Sequence, residues 1–281
     1  MIGQQTSKLN LNKGRDPKHI KGTVVNFEAK TSGKEEKMNN RLWQNEYRLR
    51  SSDFDKHNHI KLSSILDLFQ DAAGQHAETL GVGFDAMLER SYLWVLVKIK
   101  LQILSQPKRF DKVLVRTWPL EPNRVNYRRE YSIESETGEK LIIGSSEWVV
   151  INSEKRRLVS DPGLYPFVDN FHPEMNFEEK ITRVPDFEVT EAAYTVKPGF
   201  SELDRNNHVN NTRYASYVMD AINPDENYEI DVFQIDFRKE VLQGSKLNIY
   251  HKNDGEITLA KGQSEEGETM FACLLKSKPN A

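Results

Sequence analysis

The stretch Leu203-Asp204-Arg205-Asn206-Asn207-His208-Val209 repeats, at an offset of 149 residues, the earlier stretch Phe54-Asp55-Lys56-His57-Asn58-His59-Ile60. Asp, Asn and His are identical, and the flanking residues match in size or charge. The correspondence continues to Asp71-Ala72 and Asp220-Ala221. A long internal repeat settles the architecture before any single motif is weighed. Each copy then enters a helical pattern, with Ile65, Leu66, Phe69, Ala72, Ala73, His76 and Leu80 on one face of the first helix. Tyr214, Tyr217, Val218, Ala221 and Ile222 do the same in the second. Ser63 or Ser64, and Thr212, are expected to cap the two helices with a hydroxyl, and Asn223-Pro224 to stop the second.

Strand-like segments follow each helix. The first copy supplies Tyr92 to Ile103, Val113 to Trp118, Val125 to Glu134 and Leu141 to Asn152. The second supplies Tyr228 to Arg238, Lys246 to Tyr250, Glu256 to Gly262 and Thr269 to Lys276. Thr137-Gly138 and Asn253-Asp254-Gly255 sit where antiparallel hairpins turn. The expected class is therefore α+β, each half a strand, a helix and an antiparallel sheet that covers the helix. Pro162, Pro166, Pro173 and Pro185 mark a linker over 161–189, packed on the surface by Tyr165, Phe167 and Phe171. The halves are expected at 41–160 and 190–281.

The chain has 281 residues, 39 Lys+Arg against 42 Asp+Glu, a formal net charge of -3 and one cysteine, Cys273. That balance excludes a generally basic nucleic-acid binder, and a single cysteine excludes an internal disulfide or a Cys-rich zinc site. The longest apolar runs, Leu93 to Val97 and Trp148 to Ile151, fall short of the ~18 residues a spanning helix needs. No membrane partner and a cytoplasmic location are expected. Residues 1–40 are Lys-rich and polar, and are expected to form a disordered extension or to follow from a start site assigned too early.

Three strings carry a resemblance to a known family. Leu203 to Asn211 followed by Tyr214 is similar to a signature of the acyl-acyl carrier protein thioesterases of bacteria and plastids. So are Ser146-Glu147-Trp148-Val149-Val150-Ile151-Asn152 with Arg156-Arg157-Leu158 behind it, and Asp236-Phe237-Arg238-Lys239-Glu240. The resemblance covers roughly residues 41 to 276. It implies a tandem double hotdog, in which two joined copies replace a hotdog homodimer, and a catalytic second half with Asp204, Asn206, His208 and Glu240. It also implies that the first half holds the acyl chain, around Phe69, Ala73, His76 and Trp94. Plant members carry a cysteine beside the Glu, where this chain has Val241. Cys273 lies in an apolar strand and reads as a buried residue, so a cysteine acyl-enzyme is not expected.

Thioester hydrolysis needs an activated water or a carboxylate nucleophile, and donors for the developing oxyanion. If the lead-in to the second helix is extended, alternate residues Asp204, Asn206 and His208 point to one side, near free amides of the helix start. His208 and Asn206 then orient substrate and water, while Asp204 and Glu240 share the base or nucleophile role; the sequence does not say which attacks. An Asp-x-Asn-x-His string is also ordinary turn and cap chemistry. In the first copy His57 replaces the Asn and Lys61-Leu62 replace Asn210-Asn211, which reads as a degenerated copy, with a second active site as the alternative. A basic rim for an acidic acyl carrier protein is expected from Arg124, Arg128, Arg129, Lys155, Arg156 and Arg157. No metal and no organic cofactor are expected, and a homodimer is an open option. The alternatives are an acyl-CoA thioesterase on the same fold and a non-catalytic acyl-thioester binding module.

Overall fold

The computed structural model describes residues 41–161, 163–166 and 171–278. The expected extension over 1–40 lies outside the described residues, as do Pro162 and Phe167. The first half contains β1 (Trp43–Arg48), α1 (Leu62–Thr79), α2 (Phe84–Glu89), β2 (Tyr92–Ile103), β3 (Lys112–Pro119), β4 (Tyr127–Ser135), β5 (Lys140–Asn152) and the short β6 (Leu158–Val159). The second contains β7 (Tyr194–Val196), α3 (Arg213–Ile222), β8 (Ile230–Phe237), β9 (Leu247–Asp254), β10 (Ile257–Gln263) and β11 (Thr269–Ser277).

These strands form one sheet in the order β1-β3-β4-β5-β2-β8-β11-β10-β9-β7, with β6 on β5. The first five positions, 1-3-4-5-2, are mirrored by 7-9-10-11-8, so each half has the same topology. The halves meet where β2 pairs antiparallel with β8, from Lys98 opposite Asp236 to Gln102 opposite Val232. Gly138 and Gly255 take φ of 82° and 64° at the expected hairpins, a conformation that glycine adopts at little cost.

Each half-sheet covers its helix with alternate residues. Ile65, Leu66, Phe69 and Ala72 are buried on α1, and the Phe69 ring stacks on Tyr131 of β4 at 4.5 Å. On α3, Tyr214 packs edge-on against Phe271 of β11 at 5.0 Å. Each fully buried large side chain of this kind contributes about 1.5–3 kcal/mol.

The expected hydroxyl caps do not form. Lys61 and Thr212 stand at the N-caps and neither side chain caps. Ser63 is already the second residue of α1, past the cap position and buried, and Thr212 has helical dihedrals instead of the extended ones of a cap; its Oγ1 is buried without a partner among the described residues. The stop at Asn223 does form: its left-handed backbone (φ 45°) sends its N–H back to the Met219 carbonyl.

Residues 171–187 run over the face of the sheet turned away from the helices. Asn176 donates its N–H to Glu130 Oε2 (2.9 Å) and its Nδ2 to the Tyr131 and Gly144 carbonyls. Further on, Lys98 donates to Ile181 O, Gln234 to Thr182 O, and Val184 N–H to Asp236. Lys261 of β10 then reaches Asp186 at 2.6 Å. The segment is a strap crossing the β2–β8 seam. At its start Tyr165 is buried against Trp94 and Tyr127, with Phe171 packed on it.

Candidate active site

The lead-in to α3 is not extended. Leu203 pairs with Val209, Asp204 N–H donates to His208 O at 2.8 Å, and Asn207 is left-handed with φ 63°. Inside this tight turn Asp204 Oδ1 accepts the N–H groups of Asn206 (2.8 Å) and His208 (3.1 Å). The alternating convergence expected of Asp204, Asn206 and His208 is therefore corrected, because the carboxylate turns inward to satisfy backbone donors that a strand would have paired. The amides at the helix start are also partly committed. Thr212 N–H goes to Asn210 Oδ1 and Arg213 N–H to Asn210 O.

What the turn does achieve is to lay His208 beside the segment after β8. Val209 N–H donates to Val241 O (2.9 Å) and His208 bridges Leu242. This sets His208 Nε2 3.4 Å from Glu240 Oε2. The other oxygen, Oε1, accepts from Arg156 of the first half at 2.6 Å. Arg156 is delivered by a tight turn in which Asn152 Oδ1 accepts the N–H groups of Glu154 and Lys155 and Arg156 itself has φ 52°. His208 and Glu240 stay partly open to solvent, with side chains 25% and 43% exposed. Tyr214 sits under this site, hydrogen-bonded to the Val241 backbone. Burial, with the nearby Asp204 and Glu240 charges, pushes its hydroxyl above its ordinary value, so it remains a neutral phenol.

A cavity of about 1030 Å³ opens at the seam. Asp204, Arg205, Asn206 and Asn210 of the second half form one wall; Asp67, Gln70, Asp71 and Gly74 of α1 form the other. Its apolar depth is built by Met87, Trp94, Trp148 and Tyr165, with buried Arg129 among them. The volume stands at the upper end of small-molecule sites, about 300–1,000 Å³. Arg205 braces the turn on α2, paired with Asp85 at 2.9 Å and stacked over Phe84 at 4.3 Å. Of the residues expected to hold the acyl chain, Ala73 and Trp94 line this cavity. Phe69 does not, being packed on Tyr131, nor does His76, which is buried with Nδ1 3.0 Å from Arg129. His208 and Glu240 are not among the residues that line it.

The expected basic rim is also redrawn. Strand alternation sends neighbours to opposite faces, so Arg128 bonds Glu130, Ser145 and Phe177 O under the strap, while Arg129 is buried inward on His76 and Thr117. Arg124, Lys155 and Arg157 remain exposed. Cys273 is fully buried, which pushes its thiol well up and removes it from nucleophilic chemistry.

The fold defines a tandem double hotdog, with the candidates divided between the cavity wall, Asp204 and Asn206, and the Arg156–Glu240–His208 chain. Residues 40–162 match the acyl-ACP thioesterase N-terminal domain and residues 185–278 the acyl-ACP thioesterase C-terminal domain. The chain belongs to the acyl-ACP thioesterase family. It is 26% identical over 259 residues to oleoyl-acyl carrier protein thioesterase 1 of Arabidopsis thaliana, covering 83% of this chain and 71% of that one. It is 26% identical over 221 residues to the palmitoyl-acyl carrier protein thioesterase of Gossypium hirsutum, covering 73% and 54%. Among solved structures it resembles an acyl-ACP thioesterase from Bacteroides thetaiotaomicron (TM-score 0.77, 20% identity, 85% of this chain, 98% of that one). It also resembles the 12:0-ACP thioesterase from Umbellularia californica (TM-score 0.75, 22% identity, 85% and 97%).

Proposed function

We propose that this chain hydrolyses the thioester of acyl-acyl carrier protein to a free fatty acid, using Asp204, Asn206, His208 and Glu240 and no cysteine. The observation that carries this reading is the Arg156–Glu240–His208 chain, assembled from both halves beside an apolar cavity of about 1030 Å³. A carboxylate beside an imidazole can take a proton from water as that water attacks the thioester carbonyl. The Asn206 carboxamide, exposed and without a hydrogen-bond partner among the described residues, is available to donate to the oxyanion. The acyl chain runs toward Ala73 and Trp94, in the depth lined by Trp148 and Tyr165. Arg157 with Lys155 gives the acidic carrier a basic edge, and the reaction belongs to cytoplasmic fatty acid biosynthesis.

The test is thiol release from a panel of acyl chains, each on carrier protein and on coenzyme A. Turnover preferring the carrier series, abolished in Glu240→Ala and Asp204→Asn, supports the proposal. Preference for coenzyme A replaces the substrate, and full turnover in both variants removes the residue roles.

A further inference from the structure

The duplication creates a second seam cavity, of about 530 Å³, on the opposite side of the helix pair. The 149-residue offset relates it to the first. Where Asp67, Gln70, Asp71, Gly74 and Gln75 of α1 wall the large cavity, Ser216, Met219, Asp220, Asn223 and Pro224 on and just after α3 wall the small one. The facing turn is the Asp55–His59 copy, with identical bonding: Asp55 Oδ1 accepts the N–H groups of His57 and His59, and Asn58 is left-handed at φ 64°. Gln106 comes three residues after β2 as Glu240 comes three after β8. Its Oε1 accepts Ile60 N–H, the counterpart of the Val209 N–H that the Val241 carbonyl takes.

The chemistry of the small site differs from that of its mate in one direction. Gln106 stands for Glu240 and Ser216 for Asp67, each removing a negative charge. Lys61 stands for Asn210 and His57 for Asn206, adding a cation and a group able to become one. Neither Lys56 nor Lys61 pairs with a carboxylate among the described residues; their ammonium groups bond Asn223 Oδ1 and Ser52 O. Below this mouth the floor is apolar, with Ile60, Leu62, Ile103 and Ile230 all buried. A cationic mouth over an aliphatic floor suits a fatty carboxylate. Asp55 and Asp220 also line this cavity, but Asp55 Oδ1 is held by two turn amides, and Gln106 removes the carboxylate that stands beside the imidazole in the mate.

We propose that this cavity is a non-hydrolytic binding site for a free fatty carboxylate. That such a ligand is also the reaction product rests on the function proposed above. Arg213 lines both cavities and stands 3.7 Å from Asp67 of the catalytic one, so an anion drawing on Arg213 acts on the other chamber's wall.

The experiment is calorimetric titration of the intact chain with sodium dodecanoate, beside Lys61→Glu and Met219→Trp, with thermal midpoints confirming that each is folded. The expected result is a saturable event that Lys61→Glu weakens about tenfold or more, by placing like charge at the mouth, and that Met219→Trp removes by filling the wall. Isotherms that coincide in wild type and folded variants, or a wild type that binds no dodecanoate, overturn the proposal. Since Lys61 is exposed, its variant keeps the test alive if Met219→Trp does not fold. Hydrolysis of carrier-linked substrate by the same wild-type sample separates the two readings. No turnover with Lys61-sensitive binding sinks the hydrolase and leaves this site standing; turnover with Lys61-insensitive binding does the reverse.

Discussion

The turn-holding role of Asp204 and its proposed catalytic role can be separated by substitution. Only its Oδ1 accepts the two turn amides, and asparagine offers the same oxygen. Asp204→Asn should therefore keep its urea midpoint near wild type while losing activity. Asp55→Ala, in the copy without Glu, should cost about 1–2 kcal/mol of stability in the same urea titration, the usual price of leaving turn donors unpaired. Arg156 bonds Glu240 Oε1, so, on the proposed mechanism, Arg156→Ala is expected to lower kcat about 10- to 100-fold with little change in KM for the carrier substrate. Arg157→Ala, with no such partner, should move KM and spare kcat; steady-state kinetics on both decide it. The identities that repeat, Asp, Asn and His, were legible because one turn needs an inward acceptor and a left-handed residue at fixed positions. The link from Arg156 to Glu240 was not legible, since 84 residues separate them and nothing local demands it.

At the level of elements, periodicity placed α1, α3 and the long strands to within a few residues, because their buried faces repeat at 3.6 or 2. It missed the role of α2, a six-residue helix whose single buried side chain, Met87, has no period to show. It also sent Arg128 and Arg129 to one rim, although adjacent strand residues cannot share a face. Close packing of helix on sheet gives a direct test. A Cβ at Gly144 would stand 2.4 Å from the Phe69 ring, so Gly144→Ala should destabilise by about 1–3 kcal/mol in denaturant unfolding. The strap makes a pH-dependent contribution through Glu130. Burial pushes this carboxyl above its ordinary 4.5, against the pull of Arg128, Asn176 N–H and Ser145. An acid that holds its proton more tightly when folded contributes fully below 4.5 and loses that contribution as pH rises through its folded value. Relative to Glu130→Gln, the wild type should therefore lose stability with rising pH, as read from urea midpoints across that window.

Across the whole molecule, the two halves share a sheet, a strap and the Arg156–Glu240 contact. The duplication was legible from a seven-residue match and the Asp-Ala pair behind it, whereas the seam was not: β2 and β8 both read as strands, and periodicity does not say which edges pair. Because β2–β8 pairing and the strap contacts of Gln234 and Asp236 cross the seam, the full chain should unfold in one calorimetric transition. A segment of residues 190–281 alone would expose the β8 edge, which invites association, and should elute from a sizing column as aggregate instead of as a folded monomer.

The mirrored topology has a genetic consequence. In a homodimer a single codon writes both copies of a site, so any change that enlarges one chamber or strips its carboxylate does so twice. Here positions 240 and 106 are separate letters of one message. One chamber can drift in volume and charge while the other stays under selection for turnover. The two cavities, of about 1030 and 530 Å³, differ in the way that freedom permits.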